Sequence, residues 1–340
     1  PCAQGTFSDI TGASVCKECP NGTFSAAESL SYCTLCPAGK YSDVSRQTAC
    51  VSCPTGSAQV LQGQTSCQQC GPGNFAQFEG QAECTLCELG KYSDSSSLTA
   101  CSKCLPGRFA SSTGAPTCGI CTAGSIASGA GSIVCSPCPL GTFSAADEAV
   151  QCTLCDRGYY AGATNSTTCT PCINGKFSSS FGASACDSCS AGSYGNGTHL
   201  QICQLCPPGS FQSVSGMGEC SGCPAGTYAP FSGMQNCVPC PFGRYTNSTG
   251  GSACDACPVG KFSNSLSAIS CTDCPVGTYA LREASLSCIP CPNGYYMPNL
   301  GQSQCNECAP GKYASSNGSV FCDECSIGKY ATLRAQSQCT

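Results

Sequence analysis

Large apolar side chains are sparse along this chain and mostly stand alone between polar ones. In Lys40-Tyr41-Ser42 and Thr23-Phe24-Ser25 a single aromatic sits between two polar neighbours. Alternation of that period predicts a short strand with one buried side chain. Gly and Pro interrupt the chain so often that no 3.6-residue apolar period survives, and no helix is expected. Ahead of the strand, Cys36-Pro37-Ala38-Gly39 matches a type I β-turn, with Pro presetting φ at the second place and Gly favoured at the fourth. The stretch after the strand, rich in Ser, Ala, Gly, Gln and Thr, predicts a loop or a second, irregular strand.

This phrase recurs without insertion or deletion. One cysteine series runs Cys2, Cys19, Cys36 and on to Cys325, and a second runs Cys16, Cys33, Cys50 and on to Cys339, both at intervals of 17. Counting Pro1 as position 1, position 5 is Gly in all twenty repeats and position 7 is Phe or Tyr in eighteen, the exceptions being Ala58 and Ile126. Position 3 is Pro in ten repeats, including Pro20, Pro224 and Pro292. The expected fold is a small disulfide-rich repeat array: an elongated rod or solenoid of twenty 17-residue units with short β-strands, turns and loops and essentially no helix. It forms one continuous array over residues 1–340, in repeats 1–17, 18–34 and so on to 324–340, with no separate globular domain. A lone 17-residue unit has too little core to fold, so stability is expected from contacts between nearest neighbours. Two strand spacings of ~4.8 Å per unit would extend the array to roughly 200 Å.

Composition sharpens this picture. Leu, Ile, Val and Phe total only 49 of 340 residues, and there is no Trp, while Cys numbers 40. Order must therefore come largely from cross-links. The net charge is only −5 and 10% of residues are charged, unlike a typical disordered chain. The fourteen Lys and Arg are scattered singly, which argues against a nucleic-acid partner. No apolar run approaches the length of a membrane span. The chain opens at Pro1 with no charged or apolar leader, and is expected to be processed or cut from something larger.

Three chemistries compete for the cysteines. Spacing of the form C-x2-C-x13-C-x2-C, as in Cys33 to Cys53, is close to that of a zinc ribbon, but the chain is uniform and acidic and has one His. Cys16-Lys17-Glu18-Cys19 is formally a redox CxxC, yet no one pair is distinguished by a helix N-terminus or a basic neighbour. Structural disulfides in an oxidising compartment remain the preferred reading, with no metal and no cofactor. Spacing alone does not fix connectivity. Pairing within each repeat leaves no thiol over and closes identical loops. It joins Cys2–Cys16, Cys19–Cys33, Cys36–Cys50, Cys53–Cys67 and Cys70–Cys84. It continues through Cys87–Cys101, Cys104–Cys118, Cys121–Cys135, Cys138–Cys152 and Cys155–Cys169. Next come Cys172–Cys186, Cys189–Cys203, Cys206–Cys220, Cys223–Cys237 and Cys240–Cys254. The series closes with Cys257–Cys271, Cys274–Cys288, Cys291–Cys305, Cys308–Cys322 and Cys325–Cys339. An interlocked alternative would join Cys16 to Cys33 and Cys19 to Cys36 in alternating blocks.

Cys36-Pro37-Ala38-Gly39-Lys40-Tyr41-Ser42 through Cys50-Val51-Ser52-Cys53 resembles the ephrin-receptor-like cysteine-rich module, as does Cys274-Pro275-Val276-Gly277-Thr278-Tyr279 through Cys288. Both are also similar to the first loop of tumour-necrosis-factor-receptor repeats. The resemblance covers the whole chain. It implies pairing of the Cys-Pro-x-Gly cysteine with the one some thirteen residues on, which favours the within-repeat ladder, and an elongated extracellular array of short strands and loops. Receptor modules vary in length, whereas these twenty units do not, so ligand binding does not carry over with the architecture.

Other candidate sites are weak. His199, the only histidine, lacks a catalytic or metal constellation and reads as an exposed loop residue. Asp9, Asp43, Asp94 and Asp147 fall in loops without the dense oxygen string of a calcium site. Tyr159-Tyr160 and Tyr295-Tyr296 add an outward aromatic at position 6, able to rest on a neighbouring chain or a sugar. Asn-x-Ser/Thr sequons stand at Asn21, Asn165, Asn196, Asn247 and Asn317, the first inside the turn and the others in the polar half of the unit.

The function expected from sequence is structural and non-enzymatic: a secreted, glycosylated, disulfide-laddered fibre subunit, stalk or spacer at a cell surface. Its partners are expected to be copies of itself or other extracellular fibre or coat proteins, and attached glycans. Constant repeat length is the argument for the fibre, since it would keep units in phase for lateral packing. The alternative is the ectodomain of a receptor or adhesion protein that binds a protein ligand.

Overall fold

A computed structural model describes residues 1–340. Its strands are two residues long. β1 (Thr6–Phe7) pairs antiparallel with β2 (Lys17–Glu18), placing Phe7 opposite Lys17. β3 (Thr23–Phe24) pairs in the same way with β4 (Thr34–Leu35). Nineteen such two-stranded sheets occur, with no helix and no third strand in any of them. In the last repeat, Tyr330 and Thr340 exchange two backbone hydrogen bonds at the equivalent place, 2.9 and 3.0 Å. The second strand follows the closing cysteine rather than preceding it, and the Ser- and Gly-rich stretch is a loop. With each sheet confined to one hairpin, the strands build no continuous ladder, so a rise of two strand spacings per unit does not apply.

The turn differs from the type I expectation. Lys40 N donates to Pro37 O at 3.1 Å, and Gly39 has φ 82°. The four-residue turn is therefore Pro37-Ala38-Gly39-Lys40, with its glycine at the third place in the left-handed region, which is type II geometry. A Ser or Thr at position 6 reinforces it: Thr23 Oγ1 donates to Pro20 O at 2.7 Å and Thr278 Oγ1 to Pro275 O at 2.7 Å.

The chain divides into two compact units. One comprises Pro1–Asp156, Tyr160–Thr170 and Phe181–Ala185, the other Arg157–Tyr159, Pro171–Ser180 and Cys186–Thr340. Within each, one set of four backbone hydrogen bonds joins a repeat to the next. In the first unit, Gly22 N donates to Ser42 O (2.8 Å), Ser25 N to Gln47 O (3.0 Å), Arg46 N to Cys19 O (2.8 Å) and Cys36 N to Gly22 O (2.9 Å). In the second, Gly226 N donates to Thr246 O (2.9 Å), Ala229 N to Gly251 O (3.0 Å), Gly250 N to Cys223 O (2.7 Å) and Cys240 N to Gly226 O (2.9 Å).

Contacts also reach one repeat further, so the nearest-neighbour expectation is incomplete. Position 5 of a repeat lies against the backbone of position 12 two repeats on. A Cβ on Gly39 would overlap the carbonyl oxygen of Gly80, and one on Gly226 that of Ser267. Position 12 has positive φ in every repeat, whether it is Gly80 (74°), Arg46 (64°) or Ala284 (56°).

The buried interior is not aromatic. The first cysteine of a repeat is fully buried, as at Cys19, Cys36 and Cys223, and so is position 8, as at Ser25, Ser42, Ala76 and Ala229. Phe24, Tyr41 and Tyr228 are only half-buried. The expected single buried aromatic is thus replaced by a seam of cystine and small side chains, because repeats joined backbone to backbone leave no room for a ring between them. Where the aromatic is missing, Ala58 is buried against Cys70 and Ala76. Nothing in the structure explains the Ile at position 126.

Gly39→Ala and Gly80→Ala make a matched test. Alanine at position 80 meets no atom closer than 3.5 Å and occurs naturally at the equivalent Ala284 and Ala335, so its cost is about 1–2 kcal/mol for the left-handed backbone. Alanine at position 39 adds a backbone collision, and thermal unfolding should show it to be clearly the more destabilising of the two.

Candidate functional site

The chemistry concentrated in this chain is covalent. The structure joins Cys2 to Cys16, Cys19 to Cys33, and so on in every repeat to Cys325 with Cys339, and no cysteine is free. The Cα atoms of Cys36 and Cys50 stand 5.7 Å apart, within the usual range for a disulfide. All sulfurs are committed to S–S bonds in this connectivity, including those a zinc ribbon or a redox pair would need. The two ends of each bridge differ. Cys36 is fully buried beneath the next repeat, which hydrogen-bonds its carbonyl, whereas Cys50 is half-buried at the end of the loop.

The remaining candidates do not converge. Lys17 Nζ bonds Asp9 Oδ2 at 2.9 Å, and this hydrogen bond holds the Asp9 carboxyl below the ordinary carboxylate range. Asp43 accepts a hydrogen bond from Asn21 Nδ2 through its backbone oxygen, Asp94 takes the Ser95 hydroxyl, and Asp147 Oδ1 accepts from Ala123 N at 2.8 Å. Asp9 and Asp94 serve their own loops, while Asp43 and Asp147 tie theirs to the turn of the preceding repeat. His199 is exposed at position 12 with φ 66°; its ring lies 4.8 Å from that of Tyr159, tilted by 40°, and its Nδ1 is 2.9 Å from Thr198 Oγ1. All five sequon asparagines are exposed: Asn165 at position 12, Asn196 and Asn247 at position 9, Asn317 at position 11, and Asn21 in the turn.

Position 12 is the functional position that the sequence reading overlooked. In two cases a side chain there meets position 6 two repeats earlier, whereas Arg46 pairs with Glu18 at 3.9 Å. Arg108 grips Glu148 through Nε–Oε2 at 3.1 Å and Nη2–Oε1 at 2.6 Å, and Tyr159 meets His199 in the same geometry. The signal was available, since eleven of the twenty position-12 residues are Gly, from Gly12 to Gly318.

A family model described as tyrosine-protein kinase ephrin type A/B receptor-like matches residues 22–70, 73–121, 141–189, 192–233, 213–253, 226–274, 248–287, 260–296 and 277–320. The chain belongs to the ephrin-receptor-like family. The first three matches run from a position-5 glycine to a first cysteine three repeats later, Gly22 to Cys70, Gly73 to Cys121 and Gly141 to Cys189. Each therefore encloses one contact between position 5 and position 12, such as Gly22 with Gly63. No curated protein matches the chain. Family membership and the density of disulfides point to an extracellular location. No helix is long and apolar enough to cross a membrane.

Removing one bridge by Cys104→Ser with Cys118→Ser should destabilise its surroundings by about 2–5 kcal/mol. Proteolysis should then nick the chain near residues 104–118 first. Breaking the half-exposed ion pair by Arg108→Ala should cost no more than about 1 kcal/mol in the same unfolding assay.

Proposed function

We propose that this array is a non-enzymatic mechanical element of the extracellular surface: a stalk, spacer or fibre subunit carrying N-linked glycans. The observation that carries the reading is the sameness of the junctions. The same four hydrogen bonds and the same disulfide recur through both units, and no repeat departs from the others with a cluster of nucleophiles, bases or metal ligands. A chain that works by holding a distance needs equivalent joints; one that works by chemistry needs a singular place. Four of the sequons occupy the loop at positions 9–12, where a glycan projects without entering the cystine seam.

Constant repeat length, the sequence argument for a fibre, has a sufficient cause inside one chain. The contact from position 5 to position 12 two repeats on already forbids a unit of different length. Repeat length therefore gives no support of its own to lateral packing between chains.

The receptor or adhesion reading has one observation in its favour. Phe242, Val259 and Val276 occupy position 4 in three successive repeats, each after a proline, and are exposed by 50%, 47% and 41%. Such a row is of the kind that protein partners cover.

Electron microscopy of the native material separates the readings. Laterally associated or continuing filaments support the fibre subunit, and isolated extended particles the stalk or spacer. A compact particle, or a rod capped by a ligand-bound domain, rejects the mechanical reading. Glycopeptide mass spectrometry should find sugar on at least two of Asn21, Asn165, Asn196, Asn247 and Asn317, with Asn21 the lowest in occupancy because its amide is engaged by the Asp43 carbonyl of the next repeat. A chain secreted with none occupied would remove the glycoprotein part of the proposal.

A further inference from the structure

A hollow of about 600 Å³ opens in the second unit among the last four repeats. Tyr279 and Tyr295 line it together with Leu281 and Pro292, and so do the polar residues Gln304, Asn306, Glu307 and Arg334. The same groove exists near the start of the chain, between Tyr41 and the repeats after it, at about 390 Å³. There Ser57 stands in place of Tyr295, Ser66 in place of Gln304 and Gln69 in place of Glu307, so the second ring and the carboxylate are absent.

The polar groups at the later site are not engaged in holding the fold. Elsewhere, a lysine at position 6 neutralises the acid opposite it, Lys261 with Asp273 at 3.0 Å and Lys312 with Glu324 at 3.2 Å. In the second of the two repeats between these, Tyr295 takes the lysine's place opposite Glu307, and the carboxylate is left without that cation. Glu307 and Arg334 both line the hollow, yet they form no ion pair with one another. One acid, one base and two amides give a site of no net charge, rich in donors and acceptors at fixed spacing, beside two half-buried ring faces.

We infer that this hollow binds a neutral sugar ring. The C–H face of a pyranose lies against the tyrosine rings, while its neighbouring hydroxyls bridge Glu307, Asn306, Gln304 and Arg334. A cationic or anionic ligand would meet a like charge from Arg334 or Glu307. A purely apolar one would strip water from four polar groups and return nothing to them. The ring is supplied by a free or surface polysaccharide, or by an N-glycan of this chain or another copy. The chemistry is the same in each case. The inference goes beyond the mechanical reading and stands apart from it, since the site could work on a stalk or on a receptor.

Saturation-transfer NMR on the full chain with methyl α-mannoside, methyl β-galactoside and methyl β-glucoside tests it. At least one glycoside should bind with a Kd of about 1 mM and take saturation on one ring face. Tyr295→Thr should weaken that binding about three- to tenfold. Threonine is native at position 6 in Thr23, Thr142 and Thr278, so the variant keeps the turn, and an unchanged thermal transition verifies this. Binding before and after N-glycan removal marks a free saccharide as the ligand. Binding only after removal marks the protein's own glycan as the resident occupant. The inference is overturned if no glycoside binds in either state, if Tyr295→Thr binds as well as the native chain, or if a protein ligand protects the hollow and no sugar does.

Discussion

The close approach of two backbones governs this molecule. The α-carbon of the position-5 glycine meets the carbonyl of position 12 two repeats later, at a distance that admits no side chain. That contact, met by the position-5 glycines from Gly5 to Gly294, joins the positive φ of the turn in requiring glycine there, and with it go the left-handed residue at position 12 and the fixed length of the unit. The cystine seam is a consequence as well. Once successive turns of chain are joined main chain to main chain, the space between them holds sulfur, serine or alanine and excludes a ring.

The aromatics acquire a different meaning in this light. In a globular protein a residue as regular as the Phe or Tyr at position 7 would be read as core. Here it is half-buried, sheltering the hairpin and the neighbouring disulfide from one side while leaving a face to solvent. Disulfide and aromatic therefore divide the work: the bridge restricts the unfolded loop, and the ring covers what the bridge cannot. The burial of one sulfur and the partial exposure of the other place each bridge between the seam and the surface.

How much of this was legible in the sequence depends on range. The period, the short strand before the loop and the absence of helix were all visible, because they rest on local spacing. The turn type was misread because Cys-Pro-x-Gly satisfies the preferences of a type I turn, and only the φ of Gly39 and the bond from Lys40 to Pro37 show the closure to be one residue later. The role of position 12 was hidden for another reason. Its left-handed backbone is met by Gly in some repeats and by Arg46, Glu148 or His199 in others, so residue identity masks a conserved geometry. The hollow near Tyr295 was beyond reach, since its walls come from residues 279 to 334 and only the packing of four repeats gathers them.

Because each unit is gripped by both of the two that follow, the array is quantised. A genetic change that removes or adds part of a repeat pulls every glycine whose partner lies across the join out from under its carbonyl, while one that copies a whole repeat recreates all the contacts on both sides of the join. Such a gene can drift in copy number by unequal recombination and still encode a protein that folds, so length is the property most freely adjusted in descent and the unit the one most strictly held.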